Sequence, residues 1–276
     1  MITFRADLHC HTTCSDGTVS PREIIKLAKQ VGMSGLSITD HDTIEAYQSA
    51  VSCAKTEGLE LIPGVEFSTT HRGVSIHILG YAFSLKSDAI HSLCKKHRER
   101  RIKRYLAILE KLEQNDMPIS EGELLSAHPE GSIGRPHIAL AMMQKGYVSS
   151  VDQAFKKYLG EGKLCYTKGH AFPVEETIDV IHKGGGLAVI AHPHLIRNAS
   201  ITQDLLNMPF DGIEGYYARF PPSEELKWIE IGKEKGWFIT GGSDFHGEVK
   251  PHLPLGCSWV GPETFQLLSD HYANVS

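Results

Sequence analysis

Histidines and carboxylates recur in this 276-residue chain where extended segments end. Asp7-Leu8-His9-Cys10-His11 closes the first apolar run. His9 and His11 stand two positions apart, so on an extended chain both side chains project to one side and face one ion, while Cys10 projects to the other side, where packing suits it. Thr39-Asp40-His41 ends a second run, Glu66 follows a third, His77 lies in a fourth, His192 closes a fifth, and Ser243-Asp244-Phe245-His246 follows a seventh. A single His or Asp after a strand is ordinarily a hydrogen-bonding loop residue. A whole set in phase with the strands is better explained as a metal cluster of imidazole and carboxylate donors. Mixed oxygen and nitrogen ligation without thiolate suits Mn, Zn or Fe alike. Such ions bring the pKa of a bound water from ~15.7 toward ~7, which makes hydroxide available without a Ser or Cys nucleophile.

These residues need a frame. Ile2–Leu8, Leu36–Thr39, Leu59–Val65, Val74–Tyr81, Leu187–Ala191, Gly212–Tyr217 and Trp237–Thr240 read as strands. Between them lie helical patterns: one from Ser20 and Pro21 to Gly32, and others over about 45–57, 90–114, 136–145, 151–158, 174–183 and 223–235. The alternation predicts an α/β fold with a parallel sheet, open or closed into a barrel, whose carboxyl-end rim carries the site. From about Ser84 to Cys165 it lapses into helical and loop signals, which predicts a mostly helical insertion at 84–165 between frame segments 1–83 and 166–276.

Composition narrows the classes. With 41% hydrophobic and 22% charged residues, the chain has enough apolar material to bury a core. A formal charge of −5 argues against a general nucleic-acid coat. No apolar run approaches the ~20 residues of a membrane span, and the start lacks the apolar stretch of a secretion signal. The expectation is a soluble, cytoplasmic protein with no membrane association and no obligate protein partner, its six cysteines free thiols.

Asp7-x-His9-x-His11, Thr39-Asp40-His41-Asp42, Pro63-Gly64-Val65-Glu66, His192-Pro193 and Gly242-Ser243-Asp244-x-His246, in this order, resemble the motifs of the polymerase-and-histidinol-phosphatase (PHP) family. The resemblance runs over essentially the whole chain. It implies a distorted (β/α)7 barrel with two to three divalent metal ions. By that pattern one metal takes His9, His11, Glu66 and Asp244, a second Asp16, His41 and His246, and a third Glu66, His77 and His192. The family uses His or Asp at the place of Asp16, which between Ser15 and Gly17 also suits an ordinary turn. Asp7 is expected to orient a ligand His, and Asp40 and Asp42 either to orient ligands or to cap backbone ends. Three divalent ions against the carboxylates of Asp16, Glu66 and Asp244 and one hydroxide leave net positive charge, which suits a phosphate.

Gly134-Arg135-Pro136-His137 opens a helix in the insertion. It is either a surface turn or, as in a PHP subgroup acting on nucleotides and short RNA, a phosphate contact through the Arg fork and the imidazole. The basic run Lys95–Arg104 is either a solvated helix face or a rail for a polyanion. Lys168, His170 and Arg219 are further phosphate candidates, and Tyr166, Phe172, Tyr216, Tyr217 and Phe220 could stack on a base or fill the core. His194, two residues beyond His192, is expected to face substrate or solvent or to serve as a spare ligand, and is a candidate leaving-group acid. The resemblance implies attack by metal-bound hydroxide on a nucleoside 3′,5′-bisphosphate or on the 5′ end of short single-stranded RNA. The rival readings are a histidinol-phosphate-type phosphatase and a non-catalytic module of the same family.

Overall fold

The computed structural model describes residues 4–128, 133–169, 172–218 and 220–276. Strands are β1 (Ala6–Cys10), β2 (Gly35–Ile38), β3 (Glu60–Leu61), β4 (Gly64–His71), β5 (Val74–Tyr81), β6 (Leu187–Ile190), β7 (Gly212–Tyr217) and β8 (Phe238–Gly242). Helices are α1 (Pro21–Gln30), α2 (Tyr47–Glu57), α3 (Asp88–Glu113), α4 (Glu121–Ala127), α5 (Arg135–Gln144), α6 (Val151–Ala154, continued by a π turn), α7 (Val174–Lys183), α8 (Ala199–Leu206), α9 (Pro222–Lys235) and α10 (Pro262–Val275).

The strands form two sheets. β1-β2-β3 is parallel, and β4-β5-β6-β7-β8 is mixed. Single bridges from Cys10 to Phe245, just after β8, and from His41, just after β2, to Glu66 near the start of β4 help tie the two together. A uniformly parallel sheet is therefore the wrong expectation: β4 and β5 form an antiparallel hairpin, and β5 also runs antiparallel to β6. The hairpin turns on Arg72 and Gly73, both at positive φ (48° and 83°), the geometry of a two-residue primed turn. Arg-Gly is a weaker signal for that turn than Asn-Gly, so the sequence does not mark the hairpin. The expected third strand is two strands, separated at Ile62-Pro63, where Pro63 has no N–H for a ladder. The first strand sits later than expected, so that His9 and Cys10 belong to it. Helices α4, α8 and α10 lie outside the helical ranges that the sequence predicts.

Among the described residues, three large buried clusters, beside a small one around Tyr217, Ala218 and Leu253, hold the chain. One lies between the sheets' outer faces and the helices, around Ile24, Leu36, Phe67, Ile78 and Ile213. Another, around Leu8, Leu79, Val189 and Phe265, is covered in part by α10. The third joins α3, α4, α5 and α6 through Tyr105, Ile108, Leu124, Ile138, Ala154 and Leu159, giving the helical segment a core of its own. No helix among the described residues is long and apolar enough to cross a membrane.

Candidate metal centre

Glu66 is the hub. It stands in β4, 1% exposed. Its Oε2 lies 3.3 Å from His9 Nε2, 3.1 Å from His11 Nε2 and 3.1 Å from His41 Nδ1. Its Oε1 lies 2.8 Å from both His77 Nδ1 and His192 Nε2. Asp244 Oδ1 adds a second carboxylate 3.5 Å from His9 and 3.4 Å from His11, and Asp16 Oδ1 lies 3.3 Å from His246 Nε2. Three groups have ligand atoms all within 4.8 Å of one another: His9, His11, Glu66 and Asp244; His11, Asp16, His41 and His246; and His41, Glu66 and His77. His192 stands beside the third, 3.3 Å from His77 Nδ1.

Local structure explains the convergence. Alternation along β1 points His9 inward and Cys10 outward, where its thiol donates to the Ser37 carbonyl. Asp40 accepts from the Thr12 N–H and from the hydroxyls of Thr12 and Ser15, which shapes the loop carrying Asp16. Asp7 accepts from the backbone N–H of His9, Ser243 and Gly256, binding β1 to the segment that carries Asp244. His192 and Asp244 are held at φ 28° and 51°, conformations costing an L-residue of order 1–3 kcal/mol and typical of positions fixed for function.

The donor set fits divalent ions. His9 Nδ1 donates to Glu214 Oε1 at 2.8 Å, and His246 Nδ1 donates to the Asp244 carbonyl at 2.8 Å. Each bond leaves the Nε2 lone pair directed at the cluster, the arrangement of a metal-binding imidazole. His9 Nε2, His11 Nε2 and His41 Nδ1 are buried without a hydrogen bond, although each crowds Glu66 Oε2. Burial would raise the three carboxyls and lower the imidazoles. The imidazoles nevertheless outweigh burial and hold Glu66 and Asp16 well below the usual carboxylate range, and Lys250, with His246 and His9, holds Asp244 there too. Conversely, the carboxylates lift His9 well above the usual value and His11 to about 9. His41 instead follows its burial, down to about 3. Such a cluster of buried anions requires cations, either protons on imidazole or metal ions in their place.

A cavity of about 170 Å³ opens beside the cluster, lined by Asp16, His41 and His77 on one side and by Arg101, Arg104 and Arg135 on the other. The basic run accounts for two of these arginines. On α3, His97, Arg100, Arg101 and Arg104 turn inward at helical spacing, while Lys95, Lys96, Arg98 and Lys103 are exposed. Asp42 gathers the inward row. Arg101 donates to it from Nε at 2.8 Å and Arg100 from Nη2 at 3.2 Å, and His97 Nδ1 lies 3.0 Å away. Arg104 and Arg135 have no ion-pair partner among the described residues, and burial pushes Arg104 down to about 9, helped by Arg135, Arg101 and Arg100.

The remaining sequence candidates are dispersed. Arg135 lies over the rings of Phe155 and Tyr166. His137 is 3% exposed, accepts from the Gly134 N–H through Nδ1 and stacks on His128, so it shapes the α5 start and does not line the cavity. Lys168 is exposed above the β4–β5 turn, outside the cavity. His194 packs against Tyr217, Phe220 and Trp228, and burial lowers it to about 4. Phe172 stacks on His97 and lies under Arg100. Tyr216 packs against the cluster around Leu8. His170 and Arg219 lie outside the described residues. Sequence reasoning missed Glu214 as the orienter of His9, and the Tyr217 hydroxyl and Lys250 ammonium, which donate to Asp244 Oδ2 at 2.7 and 2.6 Å.

An α/β frame whose strand ends gather buried imidazoles and carboxylates beside a guanidinium-lined cavity defines a metal-dependent hydrolase of anionic esters. The PHP domain family matches residues 7–183. A 5′-3′ exoribonuclease of Haemophilus influenzae is 40% identical over 94% of this chain and 93% of its own length. A 3′,5′-nucleoside bisphosphate phosphatase of Chromobacterium violaceum is 28% identical over 87% and 86%. The solved structure of a Bifidobacterium adolescentis protein assigned to the metal-dependent phosphoesterases superposes with a TM-score of 0.87 at 28% identity, covering 96% of both chains. The chain belongs to the PHP family, and it is a metal-dependent phosphoesterase.

Proposed function

We propose that this enzyme hydrolyses nucleotide phosphates that carry a 5′-phosphate: nucleoside 3′,5′-bisphosphates, short single-stranded RNA trimmed from its 5′ end, or both. The observation that carries this reading is the cavity in which Arg101, Arg104 and Arg135 face Asp16, His41 and His77. Guanidinium forks suit phosphate oxygens, and an anion held there stands directly beside the donor cluster.

We assign two to three divalent ions, Mn, Zn or Fe. His9, His11, Glu66 and Asp244 hold the first, Asp16, His41 and His246 the second, and Glu66, His77 and His192 the third. When bound, such ions supply acidified water and neutralise charge on the scissile phosphate. The chain's own groups do the rest. Glu214 and the Asp244 carbonyl fix the ring orientations of His9 and His246. Arg135, with Arg101 and Arg104, holds the 5′-phosphate and so sets the reach to the scissile ester. Hydrolysis breaks the P–O3′ bond, with water giving oxygen to phosphorus and a proton to the 3′-oxygen. His194, lowered to about 4 by burial, is neutral at pH 7 and receives no acid role here. In this reading the two bridged sheets form one distorted (β/α)7 barrel from segments 1–83 and 166–276, capped by 84–165, whose own core supports that division.

Arg135→Ala tests the clamp. It should lower kcat/KM for a nucleoside 3′,5′-bisphosphate by about 10–100-fold, the size of one or two lost charge-assisted bonds, with metal content unchanged. Wild-type kinetics in Arg135→Ala, or a preference for histidinol phosphate over the bisphosphate, would overturn the reading.

A further inference from the structure

A second cavity, of about 400 Å³, meets the first at Ser75 and His77. β5 forms one wall with Val74 and Ser75, and the segment after β6 forms the other with Leu195, Ile196 and Arg197. Its character differs from that of its neighbour: where three arginines line the first, this one sets Val74, Leu195 and Ile196 beside the polar Ser75, His192 and Asn198, with Arg197 its one guanidinium. Leu195 is 51% exposed, although it adjoins a buried site. Arg197 is exposed, with no ion pair or hydrogen bond among the described residues. Its backbone is nevertheless fixed. A 3₁₀ turn over Pro193–Leu195 precedes it, and Asn198 after it caps α8 by accepting from the Ile201 N–H at 3.2 Å.

We propose that this cavity binds the nucleotide on the 3′ side of the scissile ester of a single-stranded oligoribonucleotide. Its sugar and base would lie on Val74, Leu195 and Ile196, and its next phosphate on Arg197. The inference rests on the reading that the arginine-lined cavity holds the 5′-phosphate. A chain anchored there and cleaved beside His77 must leave past His77, and the second cavity begins at that residue. A nucleoside 3′,5′-bisphosphate ends at the scissile phosphate and has nothing to place in it. The cavity thus distinguishes a polymer substrate from a mononucleotide.

The test compares Arg197→Ala, Arg197→Lys and wild type on a 5′-phosphorylated trinucleotide and on a nucleoside 3′,5′-bisphosphate. Arg197→Ala should lose about tenfold in kcat/KM on the trinucleotide, the size of one phosphate contact, with the bisphosphate unaffected and Arg197→Lys largely restored. The salt dependence of log KM for the trinucleotide should become shallower by about 0.7, one phosphate contact on a single strand. No loss on the trinucleotide, or equal loss on both substrates, overturns the proposal. Wild-type enzyme inactive on both substrates would sink the underlying reading and this inference with it, whereas activity on the bisphosphate alone would sink only the inference.

Discussion

Glu66 meets five imidazoles, three at one oxygen and two at the other. In the proposed assignment this one carboxylate is shared by two cation sites. The residues around it were legible in the sequence because donors that alternate on a strand, or follow its end, announce themselves by spacing. Glu214 was not legible in this way. It lies within β7, 205 positions from His9, and nothing about a lone Glu in a strand names so distant a partner. Its Oε1 takes the His9 Nδ1 proton, and its Oε2 accepts from the His192 N–H at 2.7 Å. Glu214→Gln keeps the shape and loses the charge, so it should weaken metal affinity by about 10–100-fold, as is usual for partners of ligating histidines, with the fold retained. Competition with a chromogenic chelator measures this, and unchanged affinity would remove Glu214 from the account.

At the scale of the element, α3 shows what composition cannot decide. A run of basic residues reads equally as a solvated face or as an anion site, and here it is both. The helical period sends His97, Arg100, Arg101 and Arg104 inward and the lysines outward, but the register becomes known only once Asp42 is seen across from the row. The strands failed similarly: hydrophobic runs gave their places, while direction depended on the Arg72-Gly73 turn. Asp42 is buried, a state that would raise its carboxyl, yet His97, Arg101 and Arg100 outweigh this and hold it well below the usual carboxylate range. A depressed folded pKa contributes stability above the unfolded value of about 3.9, and that contribution is lost as pH falls through the folded value. Asp42→Asn should therefore cost about 3–5 kcal/mol at pH 7, as expected when a buried ion pair loses one partner. The gap from wild type in urea denaturation should narrow as pH drops below about 4. A gap constant down to pH 3 would contradict the ion-pair origin.

Across the whole molecule, the proposed ligands come from both sheets: His9 from β1, His41 after β2, Glu66 and His77 from the β4–β5 hairpin, His192 after β6, Asp244 and His246 after β8. Ions bound among them would add to the bridges, hydrogen bonds and packing that already join these segments. They also compensate the buried carboxylates, so binding favours the folded state. At a free metal concentration about 100 times Kd the linkage amounts to about 2.7 kcal/mol, and chelation should lower Tm by roughly 5–10 °C for a chain of this size. A Tm indifferent to chelator and to added metal would show that the ions do not bind the native cluster. The helical segment, with its separate core, was legible as a break in strand–helix alternation. Its placement of three arginines over the cluster was not, since that depends on packing between distant segments.

The most direct measurement is a metal titration of chelated protein, following bound metal and hydrolysis of a nucleoside 3′,5′-bisphosphate in the same samples. Turnover should be near zero in the apoprotein, rise with bound Mn or Zn and level off at two to three equivalents, with Asp244→Asn failing on both readouts. Full turnover in the metal-free protein, or a fully loaded protein inert toward every phosphoester offered, would contradict the account.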